Sequence, residues 1–363
     1  MSTKKRRKRK KQKVYTIHWP VLLGLTCLLV ALVLLFVGVA RAIALPEGRA
    51  MTAEEATHEP IIPAPTWSPL PVDVNFTKIH STTVKVFFPE EGEIREMYLE
   101  EYILGVVAGE MPSSYSLEAL KAQAVAARTY TLYSMRHGGC NSNAKADVCT
   151  SSSCCQTYRT EAKMHKSWGD TYTYRYSVIA KAVMDTAGEI MLYKGKPINA
   201  MYHAASGGWT EDSENVYGSK YDYLRSVESP DEIGSRQTGQ QVYTRKEVAD
   251  RINGARPSAN VDPDKLEEHL VILSLFPSGR VEKVKINEDE ISGRNFKKIF
   301  GLDSAMFTVE ITADQVIFRT KGFGHGVGMS QAGANGMGAK GADYHTILSH
   351  YYTGISFGII GQY

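Results

Sequence analysis

The feature that most constrains this chain is an uncharged, apolar run between Trp19 and Ala40. A helix that rises about 1.5 Å per residue crosses a hydrocarbon core of about 30 Å with about 20 such residues. Residues 4–13 (KKRRKRKKQK) carry nine Lys or Arg and no acid, which predicts a cytoplasmic N-terminus and export of the residues after the apolar run. The alternative is a signal peptide cleaved near residues 42–44 (AIA), although such apolar cores usually hold only about 7–15 residues. Both interpretations export residues 45–363.

Charge and proline patterns divide the chain into segments. The formal net charge is +3, but without the nine basic residues of the N-terminal block, 33 basic side chains face 39 acidic ones. Because the block directly precedes the apolar run, it indicates membrane topology, and we expect no nucleic-acid partner. Six prolines lie between positions 46 and 71, as in an extended tether. We expect a cytoplasmic basic segment (1–18), a single transmembrane anchor (19–42), a Pro-rich tether (43–76) and an exported folded region (77–357).

Helices mix with antiparallel hairpins in the folded region, and regular βαβ alternation is missing, which predicts an α+β fold of about two lobes around a cleft. Pro112 ends a helix over residues 100–111, and Ser116 caps the next one over residues 117–136. A short helix is expected near residues 291–300 and a last one between residues 343 and 354. The predicted strands are 84–88, 94–99, 177–185, 190–193, 198–202, 270–273, 281–286, 306–311 and 315–320, and residues 228–242 are predicted to form a loop.

One carboxylate, Glu110, interrupts the apolar stretch EYILGVVAGEMP at residues 101–112. In the last turn of a helix, the partial negative charge of the helix dipole disfavours an ionised carboxylate, and so do apolar neighbours. Both effects raise the pKa, which suits a general acid near neutral pH. The alternative is a solvated glutamate at the helix end, or one paired with Lys121 or Arg128.

Two glycine-rich stretches, HAASGGW (203–209) and GFGHGVG (322–328), allow a ligand or another backbone to approach closely. Neither fits a phosphate-binding loop, since the GxGxxG and Walker spacings are absent. A serine hydrolase built on Ser206 with His203 or His325 lacks the GxSxG elbow. A tight bend at the edge of a core is the structural alternative.

Four cysteines lie within 16 residues: Cys140, Cys149, Cys154 and Cys155. Export favours disulfides. The adjacency of the last two favours metal, because a vicinal disulfide is strained and four thiolates suit a tetrahedral zinc, with His137 as an alternative ligand. The residues alone leave both interpretations open.

Six stretches of the chain, in their order, resemble the stage II sporulation protein D family, which is akin to the amidase enhancers. GVVAGEMP, LEALKAQAVAARTY, HAASGG, TEDSENVYG, YLRSV and GFGHGVGMSQAGANGMGAKG carry this resemblance, which spans about residues 80–357. It implies a lytic transglycosylase, a lyase that acts on peptidoglycan glycan strands already stripped of peptides by an N-acetylmuramoyl-L-alanine amidase. The implied location is the mother-cell membrane facing the intermembrane space. The implied partners are the amidase and a further membrane-anchored engulfment protein. No organic cofactor is expected.

The resemblance assigns roles to individual residues. Glu110 would be the catalytic acid, with Asp185, Glu211 and Asp212 left open as helpers. Substrate contacts are expected from Lys121, Arg128, Tyr202, His203, Ser206, His325, Ser330 and Gln331. The family carries zinc near a Cys-x₄-His-Cys-Gln pattern, and here Cys154 stands where that histidine would be. We therefore expect a structural zinc held by Cys140, Cys149, Cys154 and Cys155, with a disulfide knot as the alternative. A non-catalytic module that grips glycan and recruits or activates the amidase is the alternative function, and a glycan hydrolase is a narrower one.

Overall fold

The computed structural model describes residues 81–234 and 237–362. The predicted basic segment, anchor and tether all lie outside the described residues. Within those two ranges, every helix is too short or too polar to cross a membrane.

The first half of the described region is built around one long helix. Its elements are β1 (Thr83–Phe88), β2 (Glu93–Tyr98), α1 (Leu99–Glu110), α2 (Leu117–Arg136), β3 (Val148–Cys149), α3 (Glu161–Trp168), α4 (Tyr172–Asp185), β4 (Glu189–Tyr193), β5 (Lys196–Pro197), β6 (Tyr202–His203) and α5 (Ser213–Tyr217). The Ser116 side chain accepts a hydrogen bond from the Ala119 backbone N–H and so starts α2, as predicted. Alanines along α2 let it pack closely against α1, α4 and β4.

The next part of the chain forms a second core. Its elements are β7 (Thr238–Thr244), α6 (Arg245–Ala255), α7 (Leu266–His269), β8 (Leu270–Leu275), β9 (Val281–Ile286), β10 (Asp289–Ser292), α8 (Gly293–Phe300), β11 (Phe307–Ile311) and β12 (Gln315–Lys321). Two antiparallel sheets, β11-β12-β7 and β10-β9-β8, pack with buried side chains from α6 and α8, among them Ile252 and Phe296. The second core therefore has a buried interior of its own.

The last elements pack against the first half of the described region. They are β13 (Met329–Ser330), α9 (Gln331–Ala339), α10 (Tyr344–Tyr351) and β14 (Ser356–Ile359). Helices α9 and α10 pack on α2, β13 pairs in parallel with β6, and β14 pairs antiparallel with β4. Asp343 caps α10, as predicted. The mixture of helices and antiparallel sheets confirms the predicted mixed class, whereas two lobes around a cleft stays a prediction.

Three of the predicted elements are wrong. The strand predicted over residues 177–185 is the C-terminal part of α4, whose buried Tyr172, Tyr176, Ile179 and Val183 follow helical spacing. In the run predicted as a strand at 198–202, only the last residue enters β6. The loop predicted over residues 228–242 contains the start of β7, an edge strand whose polar side chains hide the alternating pattern.

Candidate active site

Glu110 is the last residue of α1 and is partly buried. Its Oε1 accepts a hydrogen bond of 2.5 Å from the Thr157 backbone N–H, and its Oε2 accepts one of 3.4 Å from the Gln331 side-chain amide. Burial raises the pKa of the carboxyl above its ordinary value of 4.5, and the hydrogen bonds from Thr157 and Gln331 only partly oppose that effect. A carboxyl held in this way keeps its proton to a higher pH than a solvated glutamate and can donate it to a ligand.

Two glycines on α1 bring the segment after the cysteines against the acid. A Cβ on Gly105 would stand 2.1 Å from the Tyr158 ring, and one on Gly109 would stand 3.0 Å from the Thr157 backbone. The Arg159 backbone N–H donates to the Gly105 carbonyl at 2.9 Å. Because neither position carries a side chain, this segment can approach α1 closely enough for the Thr157 N–H to bond Glu110. Thr157 is not among the site residues predicted from the sequence, although two small residues four apart on α1 are a signal for close packing.

Two polar side chains from distant parts of the chain, Gln331 and Tyr202, lie near the acid. Gln331, at the start of α9, also donates to the Gln123 amide oxygen on α2 at 3.3 Å. The Tyr202 hydroxyl donates to the Gln156 amide oxygen at 2.8 Å. Burial raises the pKa of Tyr202, and the negative charge of Glu110 raises it further. Gln331 and Tyr202, both predicted from the sequence, thus lie near the acid, and Tyr202 is a neutral hydroxyl donor there.

Arg128 and Lys121 lie on α2, but the structure does not bring them to the acid. Arg128 is fully buried in a two-pronged ion pair with Glu100, with Nε–Oε1 at 2.8 Å and Nη2–Oε2 at 2.6 Å. Glu100 precedes Glu110 by ten residues on α1, which is about 15 Å along a helix. The Lys121 ammonium pairs with Glu118 at 3.0 Å and with Asp185 at 3.2 Å. In this structure both side chains form ion pairs that link residues of neighbouring helices, and they do not orient Glu110.

His203 follows Tyr202 on β6, and consecutive side chains of a strand point to opposite faces. The His203 and His325 rings are 5.5 Å apart. His203 bonds the Val327 carbonyl through Nδ1, and His325 accepts from the Val327 backbone N–H at 3.1 Å. Burial lowers the pKa of His325 to about 4 and that of His203 well below its usual value. Both are therefore neutral near pH 7, and His325 lines a separate cavity of about 660 Å³.

The predicted serines both bond Glu232, a carboxylate that is not among the site residues predicted from the sequence. The hydroxyls of Ser206 and Ser330 donate to Glu232 Oε1 at 2.7 and 2.5 Å, and the Gly207 backbone N–H donates to Oε2 at 3.0 Å. Ser206 thus bonds a carboxylate and not a histidine, which removes the geometry of a serine hydrolase. These contacts fix the turn after β6 to the start of α9.

The four cysteines form one cluster. Their Sγ atoms lie within 4.8 Å of one another, and Cys154 is 3.6 Å from Cys140 and 3.7 Å from Cys155. Zn–S bonds of about 2.3 Å in a tetrahedron place sulfurs about 3.8 Å apart, whereas disulfide sulfurs are about 2.05 Å apart. His137 lies outside the cluster, stacked on Tyr133. The donor set therefore fits a closed tetrahedral zinc, and Cys155 is only two residues before Thr157.

Comparisons with known proteins add to this geometry. The sequence profile of the family described as "Stage II sporulation protein" matches residues 89–193. The chain is 34% identical over 278 residues to stage II sporulation protein D of Bacillus subtilis (strain 168), which covers 76% of this chain and 79% of that protein. The protein of the same name from Bacillus amyloliquefaciens is 34% identical over 274 residues, 75% of this chain and 78% of that protein. The amidase enhancer of B. subtilis is 28% identical over 299 residues, 69% of this chain but 39% of that protein.

Proposed function

The chain belongs to the stage II sporulation protein D family, and from that premise we propose that it is a membrane-anchored lytic transglycosylase that remodels cell-wall peptidoglycan during sporulation. The observation that carries the proposal is the setting of Glu110. Burial raises its pKa, and fixed donors from Thr157 and Gln331 hold its two oxygens in place. A single well-placed acid is what intramolecular cleavage of a glycan requires.

The proposed reaction cleaves peptide-stripped strands between N-acetylmuramic acid and N-acetylglucosamine. Glu110 gives its proton to the glycosidic oxygen as the bond from that oxygen to the muramic anomeric carbon breaks. The 6-hydroxyl of the same muramic acid attacks the anomeric carbon, and its proton passes to the Glu110 carboxylate, so the acid is regenerated and a 1,6-anhydro end forms. Proton donation by such a group typically contributes about 10²–10⁴-fold to a rate.

This route needs no activated water and hence no second carboxylate, unlike the usual glycosidase pair. The three acids left open as helpers are all engaged elsewhere. Asp185 pairs with Lys121 and Lys181, Glu211 accepts from Ser278 and Asn215, and Asp212 accepts from the Ser226 backbone N–H. Their contacts support a one-acid mechanism.

A non-catalytic module that grips glycan and recruits or activates an N-acetylmuramoyl-L-alanine amidase is the second candidate. The similarity to the amidase enhancer favours it. The two functions are compatible, and we propose the amidase and a further membrane-anchored engulfment protein as partners. The proposed location is the mother-cell membrane, with one span, a cytoplasmic N-terminus and the described region on the outer side.

We also propose that Cys140, Cys149, Cys154 and Cys155 hold a structural zinc. When bound, such an ion supplies cross-linking rather than chemistry, because four sulfurs leave it no open position. The zinc would act on the candidate site by holding nearby residues in position. Residues 149–155 would be fixed, and with them the Thr157 backbone N–H that donates to Glu110.

The experiment that tests the catalytic proposal replaces the acid by its neutral isostere, Glu110→Gln. We expect loss of glycan cleavage with retained glycan binding and folding. Glu290→Gln, an exposed carboxylate on the second core, is the matched control and should cleave normally. Normal product formation by Glu110→Gln would refute the role of the acid, whereas binding without cleavage by the unmodified protein would favour the amidase-recruiting module.

A further inference from the structure

A groove with positively charged walls lies beside the candidate acid. Its volume is about 450 Å³. We call it the cationic groove, and its lining residues are Gly109, Thr157, Tyr158, Arg159, Lys163, Lys166 and Ser167. Three of these seven residues carry a cationic side chain and none is an acid, so a ligand group that enters the groove meets net positive charge.

The cations are presented in different ways. Arg159 is partly buried, with its guanidinium 5.6 Å from the Trp168 ring centre, so its position is fixed by packing. Lys163 and Lys166 are exposed on α3, one turn apart. The Lys163 ammonium pairs with Glu90 at 2.9 Å, but both side chains are more than half exposed. An ion pair of that kind is weak, so the ammonium can exchange Glu90 for another anion.

Two of the lining residues, Gly109 and Thr157, lie next to the acid. Gly109 directly precedes Glu110, and consecutive Cα atoms are about 3.8 Å apart. Thr157, on the facing wall, is the residue whose N–H bonds the Glu110 carboxylate. A sugar ring placed with its glycosidic oxygen at Glu110 therefore has its neighbouring substituents close to the groove.

We propose that the cationic groove binds the lactyl carboxylate of muramic acid, an inference that rests on the proposed function. In peptide-bearing glycan, the lactyl carbonyl is part of a neutral amide. Hydrolysis of that amide adds one water, releases the amine of the peptide and leaves a carboxylate on the sugar that the acid attacks. The groove thus binds the charged group that peptide removal creates. It favours stripped strands over peptide-bearing strands because only the stripped strands carry that charge.

The test measures binding rather than cleavage. Full-length protein with Glu110→Gln, in detergent and at low salt, is titrated with peptide-free glycan and with the same glycan after conversion of its carboxylates to methylamides. We expect the carboxylate form to bind about tenfold more tightly, the effect of one charge-assisted hydrogen bond. In a Lys163→Ala/Lys166→Ala protein, that preference should fall to about threefold or less as charge is removed.

Two further variants serve as controls. Lys163→Arg/Lys166→Arg keeps the charges and should keep the preference, and so should Lys246→Ala, an exposed lysine on α6 of the second core. Equal binding of the two glycans by the parent protein would overturn the inference, as would an unchanged preference after removal of both lysines. The proposed function fails separately, when protein with native Glu110 cleaves neither glycan while the binding preference remains.

Discussion

Removal of the Arg128 guanidinium, by Arg128→Met, should destabilise the protein rather than act on glycan directly. The side chain is fully buried, holds both oxygens of Glu100 and donates to the Glu189 carbonyl at 2.9 Å. Without it, the Glu100 carboxylate keeps a donor in the Gly188 backbone N–H, at 3.1 Å. Leaving one partner of a buried pair uncompensated costs about 3–5 kcal/mol. For a region of this size, that loss lowers Tm by roughly 6–20 °C.

The assay follows thermal unfolding by circular dichroism, with glycan binding measured well below the melting transition. The double variant Glu100→Leu/Arg128→Met replaces both charges by apolar groups and should recover most of the lost stability. At a temperature where the single variant is folded, its glycan binding should match that of the unmodified protein. A single variant with normal Tm and lost glycan binding would contradict this prediction and indicate that Arg128 contacts the ligand.

Three other predictions concern the acid and its supports. Because the pKa of Glu110 is raised, kcat/KM should fall as pH rises through that pKa. Ionisation of the buried carboxyl should also lower the stability of the protein above about pH 4.5, so Glu110→Gln should raise Tm at neutral pH but not at pH 4. An equal Tm difference at both pH values would contradict this prediction. Metal analysis should find one zinc per chain, and a chelator should lower Tm, whereas absence of zinc with a mass that fits two disulfides would overturn the metal proposal. Gly105→Ala would place a methyl group 2.1 Å from the Tyr158 ring and should cost about 1–3 kcal/mol together with activity, while Gly254→Ala, with open space around it, should cost neither.

Local signals predicted the elements that carry the acid. Pro112 and the Ser116 cap fixed the ends of α1 and α2 to within about one residue. The error at residues 177–185 has a physical cause. A short apolar run with β-branched residues fits a strand or a buried helix equally well until the neighbouring tyrosines show the helical period.

Contacts between distant segments were harder to predict. The donor from Thr157 is a backbone N–H, which no residue type reveals. Glu232 accepts hydrogen bonds from Ser206 and Ser330, and it lies in the stretch 228–242 that the sequence predicts to be a loop. The resemblance predicts that the adjacent residues Tyr202 and His203 face one ligand. Consecutive side chains of a strand point to opposite faces, so Tyr202 lies near the acid while His203 packs beside His325. Sequence patterns specify which residues cluster along the chain, while register and packing decide which of them meet.

The mass of the product shows whether one acid promotes an intramolecular attack. Peptide-free glycan strands are incubated with the protein, and the new muramic acid ends are identified by mass spectrometry. We expect 1,6-anhydro ends, which are lighter by one water than the product of hydrolysis. Reducing ends would contradict it, because they require an activated water and a second group to activate it.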